Sequence, residues 1–309
     1  MTEAGRSSPD VSILIVSWNT KGLTEACLRS LPGSVSDAVD YEVIVVDNGS
    51  TDGSVELLRG QDAVQLVENG ANRGYATAVN QAYARATGRL ILLLNSDIEF
   101  EPLALSTLVD FLAEHPDVAG VGPLYLNPDG SPQLHHFRLP TWPMLLAGSS
   151  RIFAHVPPLA AAERRYRMVD DDFTQPRPIE QPSASVLLLR REVLPPDHVL
   201  DEAFPIFFND VELAWRLRRA GHELWMTPQS RAYHVHGAST RQLGPALQRQ
   251  HLAALVRYLD RTHSPAARIA FKALVFPPKA MRSLLGRGDA PSLGELVAAM
   301  RGDPGDAFR

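Results

Sequence analysis

Apolar residues are gathered into short runs separated by stretches rich in Asn, Asp and Gly, and the runs alternate between two periods. Val11 to Val16 is a β-branched run of strand length; Leu23, Ala26, Cys27 and Leu31 then follow at helical spacing, up to Pro32-Gly33. The alternation continues with strands expected at 43–46, 63–67, 90–94 and 118–121 and helices at 75–86 and 102–115. Strands that alternate with helices and are apolar on both faces predict an α/β fold with a parallel sheet covered on each side. From Asn127 to Pro182 prolines are dense, Arg164 to Arg167 is basic and Asp170 to Asp172 acidic, which reads as a long irregular excursion of the kind that forms lids or binding loops. Regular patterning resumes with a strand at 185–189, an aromatic stretch from Phe204 to Phe208, a helix opening near Asp210 and stopping at Gly221, and a strand at 223–226 leading to His234-Val235-His236-Gly237. The final part reads as helices at 247–259 and 266–285, the second broken at Pro277-Pro278, and a frayed tail from Gly286.

Ligands of such sheets sit outside the carboxyl ends of the strands, so the polar groups that follow each strand are the first candidates for chemistry. Ser17, Trp18 and Asn19 follow the first strand, Asp47 the second, Asn69, Asn72 and Arg73 the third, and Asn95, Ser96 and Asp97 the fourth. Taken singly such residues make turns, and Asn48-Gly49 and Asp52-Gly53 read that way. Asp97 stands apart because Ile91 to Leu94 drive its strand into the core and leave the carboxylate at the open end. With His234 and His236 far downstream it offers carboxylate plus imidazole to a hard divalent cation, Mg²⁺ or Mn²⁺, whose shell phosphate oxygens complete. His236 alternates with His234 across Val235 and faces the same side of an extended segment; a second ligand and a hydrogen-bonding loop histidine are both open. His135-His136 reads as loop chemistry, and Asp210, with Glu212 in the first turn, reads as a helix N-cap. Neither a dinucleotide-binding glycine motif nor a P-loop occurs.

Composition narrows the class. The 309 residues allow one large domain or two smaller ones, and 45% apolar with 21% charged residues is a globular mixture. A net charge of -5 lacks the basic field that nucleic acid requires. The single cysteine, Cys27, forms no internal disulfide and suits a reducing compartment. No secretory leader and no long apolar span are evident, so a cytoplasmic location is expected. Ile269, Phe271, Leu274, Val275 and Phe276 with Lys272, Lys279, Arg282 and Arg287 suit either a helix packed on the core or a membrane surface, which makes 266–287 a candidate peripheral contact on the inner face of the membrane.

Several of these residues fall into an ordered set. Ile13-Leu14-Ile15-Val16-Ser17-Trp18-Asn19, Val45-Val46-Asp47-Asn48-Gly49-Ser50-Thr51-Asp52-Gly53-Ser54, Asn72-Arg73-Gly74 with Asn80, and Leu92-Leu93-Leu94-Asn95-Ser96-Asp97 come in that order. Gly122-Pro123-x-Tyr125, Leu126-Asn127-Pro128-Asp129-Gly130-Ser131, Phe207-Phe208-Asn209-Asp210-Val211-Glu212-Leu213 and His234-x-x-Gly237-x-Ser239 follow. From about Val11 to Thr240 the set resembles the inverting family 2 glycosyltransferases of GT-A fold, and within them the rhamnosyltransferase-like branch. The resemblance implies a mostly parallel sheet flanked by helices, divided into a catalytic domain over 11–243, with a nucleotide-sugar half at about 11–126 and an acceptor half at about 183–243. A flexible start at 1–10, C-terminal helices at 244–285 and a tail at 286–309 complete the chain. The implied reaction moves a sugar, L-rhamnose first, from a dTDP- or UDP-sugar donor to the hydroxyl of a glycan or lipid-linked acceptor. By the same resemblance Ser17, Asn19, Asp47, Asn72, Arg73, Asn95 and Ser96 bind the nucleotide-sugar, Asp97 and His234 hold the divalent cation, and Asp210 is the general base. The chain departs from the family at Asn209, where a Glu is usual, at Asn95 in place of the first Asp of the DxD motif, and at Ser183-Ala184-Ser185, where Gly-Ala is common. The other readings kept open are a sugar-phosphate nucleotidyltransferase and a silent sugar-nucleotide binding subunit.

Overall fold

The computed structural model describes residues 8–235, 246–285, 291–303 and 305. Along the chain come β1 (Val11–Ser17), α1 (Lys21–Ser34), β2 (Tyr41–Asp47), α2 (Ser54–Arg59), β3 (Val64–Glu68), α3 (Tyr75–Tyr83), β4 (Leu90–Asn95), β5 (Ile98–Phe100), α4 (Ala104–Glu114) and β6 (Val118–Leu126). Next are the two-residue strands β7 (Pro132–Gln133) and β8 (His136–Phe137), helices α5 (Trp142–Ser149), α6 (Arg151–Ala154) and α7 (Pro157–Tyr166), and two more short strands, β9 (Arg177–Pro178) and β10 (Gln181–Pro182). The chain continues through β11 (Val186–Arg190), α8 (Asn209–Arg219), β12 (Glu223–His234), α9 (Ala246–Thr262), α10 (Pro265–Leu284) and α11 (Leu293–Met300).

The main sheet has the order β3-β2-β1-β4-β11-β6-β12-β5, with β7 beside β6 and β9 beside β12, while β8 and β10 form a separate ladder. Its β3-β2-β1-β4 half is parallel, and the registers bring the strand ends level: Ser17 lies opposite Asp47, Asp47 opposite Glu68, and Val16 opposite Asn95. Strand β11 then enters antiparallel to β4, with Val186 opposite Leu94. That reversal brings Ser183 to Ser185, which precede β11, to the same rim where β4 ends, and the Asn95 N–H donates to the Ser185 carbonyl at 2.9 Å. Strand β12 runs antiparallel to β5, with His234 opposite Ile98, so the histidine arrives next to Asp97.

Period-two alternation divides the strands between two layers. Ile13, Ile15, Val43, Val45, Leu92 and Leu94 pack with Cys27 and Leu31 of α1 and with Leu105, Leu108 and Leu112 of α4. Leu14, Ile44, Val46, Ile91 and Leu93 face the other way, against Val79 and Ala82 of α3 and Leu213 and Leu217 of α8. Each such fully buried side chain contributes roughly 1.5–3 kcal/mol. A third cluster joins Leu145 and Leu146 of α5, Phe204, Val211, the 252–259 stretch of α9, Phe271 and Val275 of α10, and Leu296 and Met300 of α11.

The pattern is misread wherever proline is taken as a stop. The stretch expected to be irregular contains α5 and α7, and prolines stand in the first positions of both, where the missing N–H costs nothing and the fixed φ suits a helix. Helix α1 runs on through Pro32 to Ser34. Helix α10 is continuous across Pro277-Pro278, held in line because Phe276 and Ala280 on either side of the pair both pack on the third cluster. The tail expected to fray contains α11, opened by a Ser292/Glu295 capping box and closed into the core by Leu296, Ala299 and Met300. His236 and Arg287 lie outside the described residues. Among the described residues no helix is long and apolar enough to cross a membrane.

Candidate active site

Above the carboxyl ends of β1 and β4 the structure opens a cleft with a cavity volume of about 350 Å³. Of the residues singled out in the sequence, Asn72, Asn95, Ser96, Asp97, Asp210 and His234 line it. Asp97 and Asp210 are thus brought to one cleft from positions 113 residues apart, 210 minus 97. Trp18, Asn48, Tyr75, His135, Phe137, Phe207 and Phe208 line it as well.

Asp97 follows β4 with its side chain 10% exposed, and its Oδ1 stands 3.7 Å from Nε2 of His234. The other imidazole nitrogen, Nδ1, lies 2.7 Å from Gln133 Oε1. Gln133 Nε2 donates to Asn127 Oδ1 at 3.0 Å and to the His234 carbonyl at 3.3 Å, which fixes the amide so that its oxygen faces the ring. The Nδ1–H of His234 therefore donates to that oxygen, and Nε2 is the ring nitrogen turned toward Asp97. One carboxylate and one oriented imidazole make a donor set that fits a hard divalent cation with most of its shell left to ligand oxygens. Among the described residues no third His, Cys, Asp or Glu completes a metal-binding group.

Asp210 sits in the first turn of α8; the helix-capping position belongs to Phe208, whose φ of 64° is unusual for a bulky side chain and turns the loop sharply. Asn209 holds that loop through a 2.6 Å bond from Nδ2 to the Ile206 carbonyl. Asp210 Oδ1 accepts from the Val211 N–H at 2.8 Å, and Oδ2 from Gln181 Nε2 at 3.3 Å. Burial pushes the Asp210 carboxyl above the ordinary aspartate range, against the lowering effect of those two donors. Glu212 turns away, to Arg216 at 3.4 Å and Arg261 at 3.7 Å. Tyr75 feels both acids: its phenol is pushed up by burial first, then by the charges of Asp210 and Asp97.

Ser17, Asn19, Asp47 and Arg73 are not among the residues lining the cleft. Ser17 is buried and shares a chain of hydroxyls with Thr24, Thr20 and Ser96 at separations of 3.1 to 3.3 Å. Asn19 Oδ1 accepts from the Thr51 N–H at 2.7 Å. Asp47 is buried, with Oδ1 accepting from Gly49 and Ser50 at 3.1 and 2.8 Å and Oδ2 without a hydrogen-bond partner among the described residues. Arg73 keeps an exposed side chain, and its backbone N–H donates to Asn48 Oδ1 at 3.0 Å.

Two residues read as loop or turn chemistry belong to the site. Asn48 is buried and ties Asn69, Asn72, Arg73 and Gly74 together through both ends of its amide. His135 enters the cleft, with Nε2 3.3 Å from Ser185 Oγ and its ring centroid 4.5 Å from that of His234. Its neighbour His136 is buried against the Pro123 carbonyl at 2.8 Å, and burial lowers its pKa to about 4. Adjacent histidines with opposite fates follow from the extended backbone at β8, which no composition signal reveals.

Residues 12–183, more than half of the sequence, match the glycosyl transferase family 2 domain. The chain belongs to glycosyl transferase family 2. Over 258 residues, 78% of this chain and 80% of the relative, it is 29% identical to an N-acetylglucosaminyl-diphospho-decaprenol L-rhamnosyltransferase of Mycobacterium tuberculosis. Its fold is the GT-A fold. A mannosyltransferase from Pyrobaculum calidifontis in complex with GDP-Man and Mn²⁺ superposes with a TM-score of 0.52 at 19% identity, covering 95% of this chain and 74% of that one. GalNAc-T7 with UDP, GalNAc and Mn²⁺ does so with a TM-score of 0.58 at 16% identity, covering 96% and 55%. The family 2 chain described here is accordingly a hexosyltransferase, with a helical C-terminal part packed against the α/β domain.

Proposed function

We propose that this family 2 enzyme transfers a hexose with inversion, L-rhamnose from a dTDP- or UDP-activated donor in the first instance, to a hydroxyl of a lipid-linked or cell-envelope glycan. The observation that carries the reading is that Asp97 and Asp210 line one cleft on elements that do not share a strand or helix. The sugar and acceptor class are those in the name of the mycobacterial relative.

In this reading Asp210 takes the proton of the acceptor hydroxyl as its oxygen attacks the anomeric carbon. The carbon–oxygen bond to the diphosphate breaks, and the leaving group departs with the electron pair. A carboxyl whose pKa is raised by burial is the stronger base for that proton, and its bonds to Val211 and Gln181 hold it in one orientation. Asp97 and His234 are the residues that would hold a divalent cation, which when bound supplies charge stabilisation to the leaving diphosphate. Trp18, Phe137, Phe207 and Phe208, which line the cleft, exclude water from the sugar.

The test is incubation of the protein with Mn²⁺, a polyprenyl-diphosphate-linked acceptor and a panel of dTDP-, UDP- and GDP-sugars, with the anomer of the product read by NMR. Expected is one productive donor and an inverted linkage. A retained linkage, or diphosphate release from a nucleoside triphosphate and a sugar phosphate, contradicts it.

A further inference from the structure

Tyr75 lines the cleft, and packing accounts for its ring but not for its hydroxyl. The residue opens α3, where Val79 and Ala82 follow at steps of four and three and so share its side of the helix. All three pack on the second apolar cluster, which holds the aromatic ring in place. Main-chain bonds fix the same residue from the other side: the N–H groups of Tyr75 and Ala76 both donate to the Pro205 carbonyl, at 2.7 and 3.2 Å. Pro205 begins the loop that leads through Phe207 and Phe208 to Asp210, so the first turn of α3 is tied to the segment that carries the base of the proposed reaction.

A phenylalanine would satisfy every one of these contacts. The Tyr75 hydroxyl has no hydrogen-bond partner among the described residues. Tyr125 differs: its hydroxyl accepts from the Val186 N–H at 2.8 Å and donates to the Val186 carbonyl at 3.1 Å. The Asp210 oxygens accept from Val211 and Gln181 and leave the phenol unused. Burial first, and then the charges of Asp210 and Asp97, push that phenol above the ordinary tyrosine range, so it keeps its proton while both acids are ionised. The cleft therefore holds a neutral O–H donor, fixed at its ring and its backbone, beside two carboxylates that only accept.

We propose that the Tyr75 hydroxyl donates a hydrogen bond to a hydroxyl of the transferred hexose and is a specificity-determining residue of the donor site. The inference deepens the glycosyl transfer reading and rests on it. With Asp97 on the diphosphate side and Asp210 on the acceptor side, the hexose is the group that lies between them, and a donor that feels both acids faces that space. The chemistry selects the same group. A diphosphate drawn up to Asp210 would set anion against anion, whereas a sugar hydroxyl accepts from the phenol and still has its own proton to donate to a carboxylate.

The test is calorimetric titration of the parent and of Tyr75→Phe with dTDP-L-rhamnose and with dTDP, Mn²⁺ present and acceptor absent. If the donor panel selects another sugar nucleotide, that compound and its nucleoside diphosphate replace the pair. Expected is sugar-nucleotide binding weakened about three- to tenfold, the usual cost of one neutral hydrogen bond, with nucleoside diphosphate affinity and melting temperature unchanged. Equal affinity of parent and variant for the sugar nucleotide overturns the proposal; a raised KM for acceptor alone then assigns the hydroxyl to the acceptor. Equal loss of sugar nucleotide and nucleoside diphosphate also overturns it, and assigns the hydroxyl to the nucleotide. Because the titration reads no transfer, the expected split in a protein that transfers no sugar in the donor panel refutes the transfer reading and leaves the sugar contact standing.

Discussion

The hydrogen-bonding of single side chains decides which of them are poised for chemistry. Asp210 is held by one backbone and one side-chain donor in a buried setting that raises its pKa, and this has a consequence for stability. Below the unfolded value of about 3.9 the carboxyl is protonated in both states and contributes nothing to the difference. As pH rises toward the raised folded value, the unfolded chain releases its proton first, so folding stability falls. Asp210→Asn is expected to unfold at a higher temperature than the parent at pH 7, with the gain disappearing near pH 4, as scanning calorimetry at the two pH values will show. The acid limb of kcat/KM, in turn, should lie above the ordinary aspartate range. Gln133 acts one step removed from the cleft, by fixing the proton on Nδ1 of His234. Gln133→Leu is expected to weaken Mn²⁺ binding about 10–100-fold, the usual cost of losing the partner of a metal-binding histidine. Calorimetric titration of Mn²⁺ into the protein checks it.

Among the elements, the glycine that opens α3 joins the two halves of the cleft. Gly74 has φ of 85°, and a Cβ there would meet Pro205 at 3.1 to 3.2 Å, while the Tyr75 N–H donates to the Pro205 carbonyl at 2.7 Å. Gly74→Ala is expected to destabilise by about 1–3 kcal/mol and lower the melting temperature, because it strains the backbone and pushes on that contact together. On α10, Phe271→Ala should cost about 3–5 kcal/mol by leaving a cavity, whereas the exposed Ile269→Ala stays within about 0.5 kcal/mol; urea unfolding of the two separates the faces. The strands and helices of the first half are legible from periodicity because their apolar alternation fits both sheet faces, and the strand-end position of Asp97 follows from the four apolar residues before it. The helices between Asn127 and Pro182 are not, since proline at a first helical turn and proline as a stop look the same without the partners that α5 and α7 pack on. His135 is likewise illegible, because its entry into the cleft depends on pairing between β8 and β10, two residues each.

For the molecule as a whole, the reversal of β11 is what makes one site from two halves. A sheet continued in parallel would carry Ser183 to Ser185 to the opposite edge; the antiparallel entry returns them to Asn95, with β12 delivering His234 and the first turn of α8 delivering Asp210. In the proposed function the two acids act on opposite partners, Asp97 on the leaving diphosphate and Asp210 on the acceptor. The most direct measurement is a paired one on Asp210→Asn: sugar transfer to acceptor, and nucleoside diphosphate affinity with Mn²⁺ present. Expected is a loss of transfer by about 10²-fold or more with nucleotide affinity unchanged. Transfer near the parent rate, or nucleotide binding lost together with transfer, contradicts the division of labour between the two carboxylates.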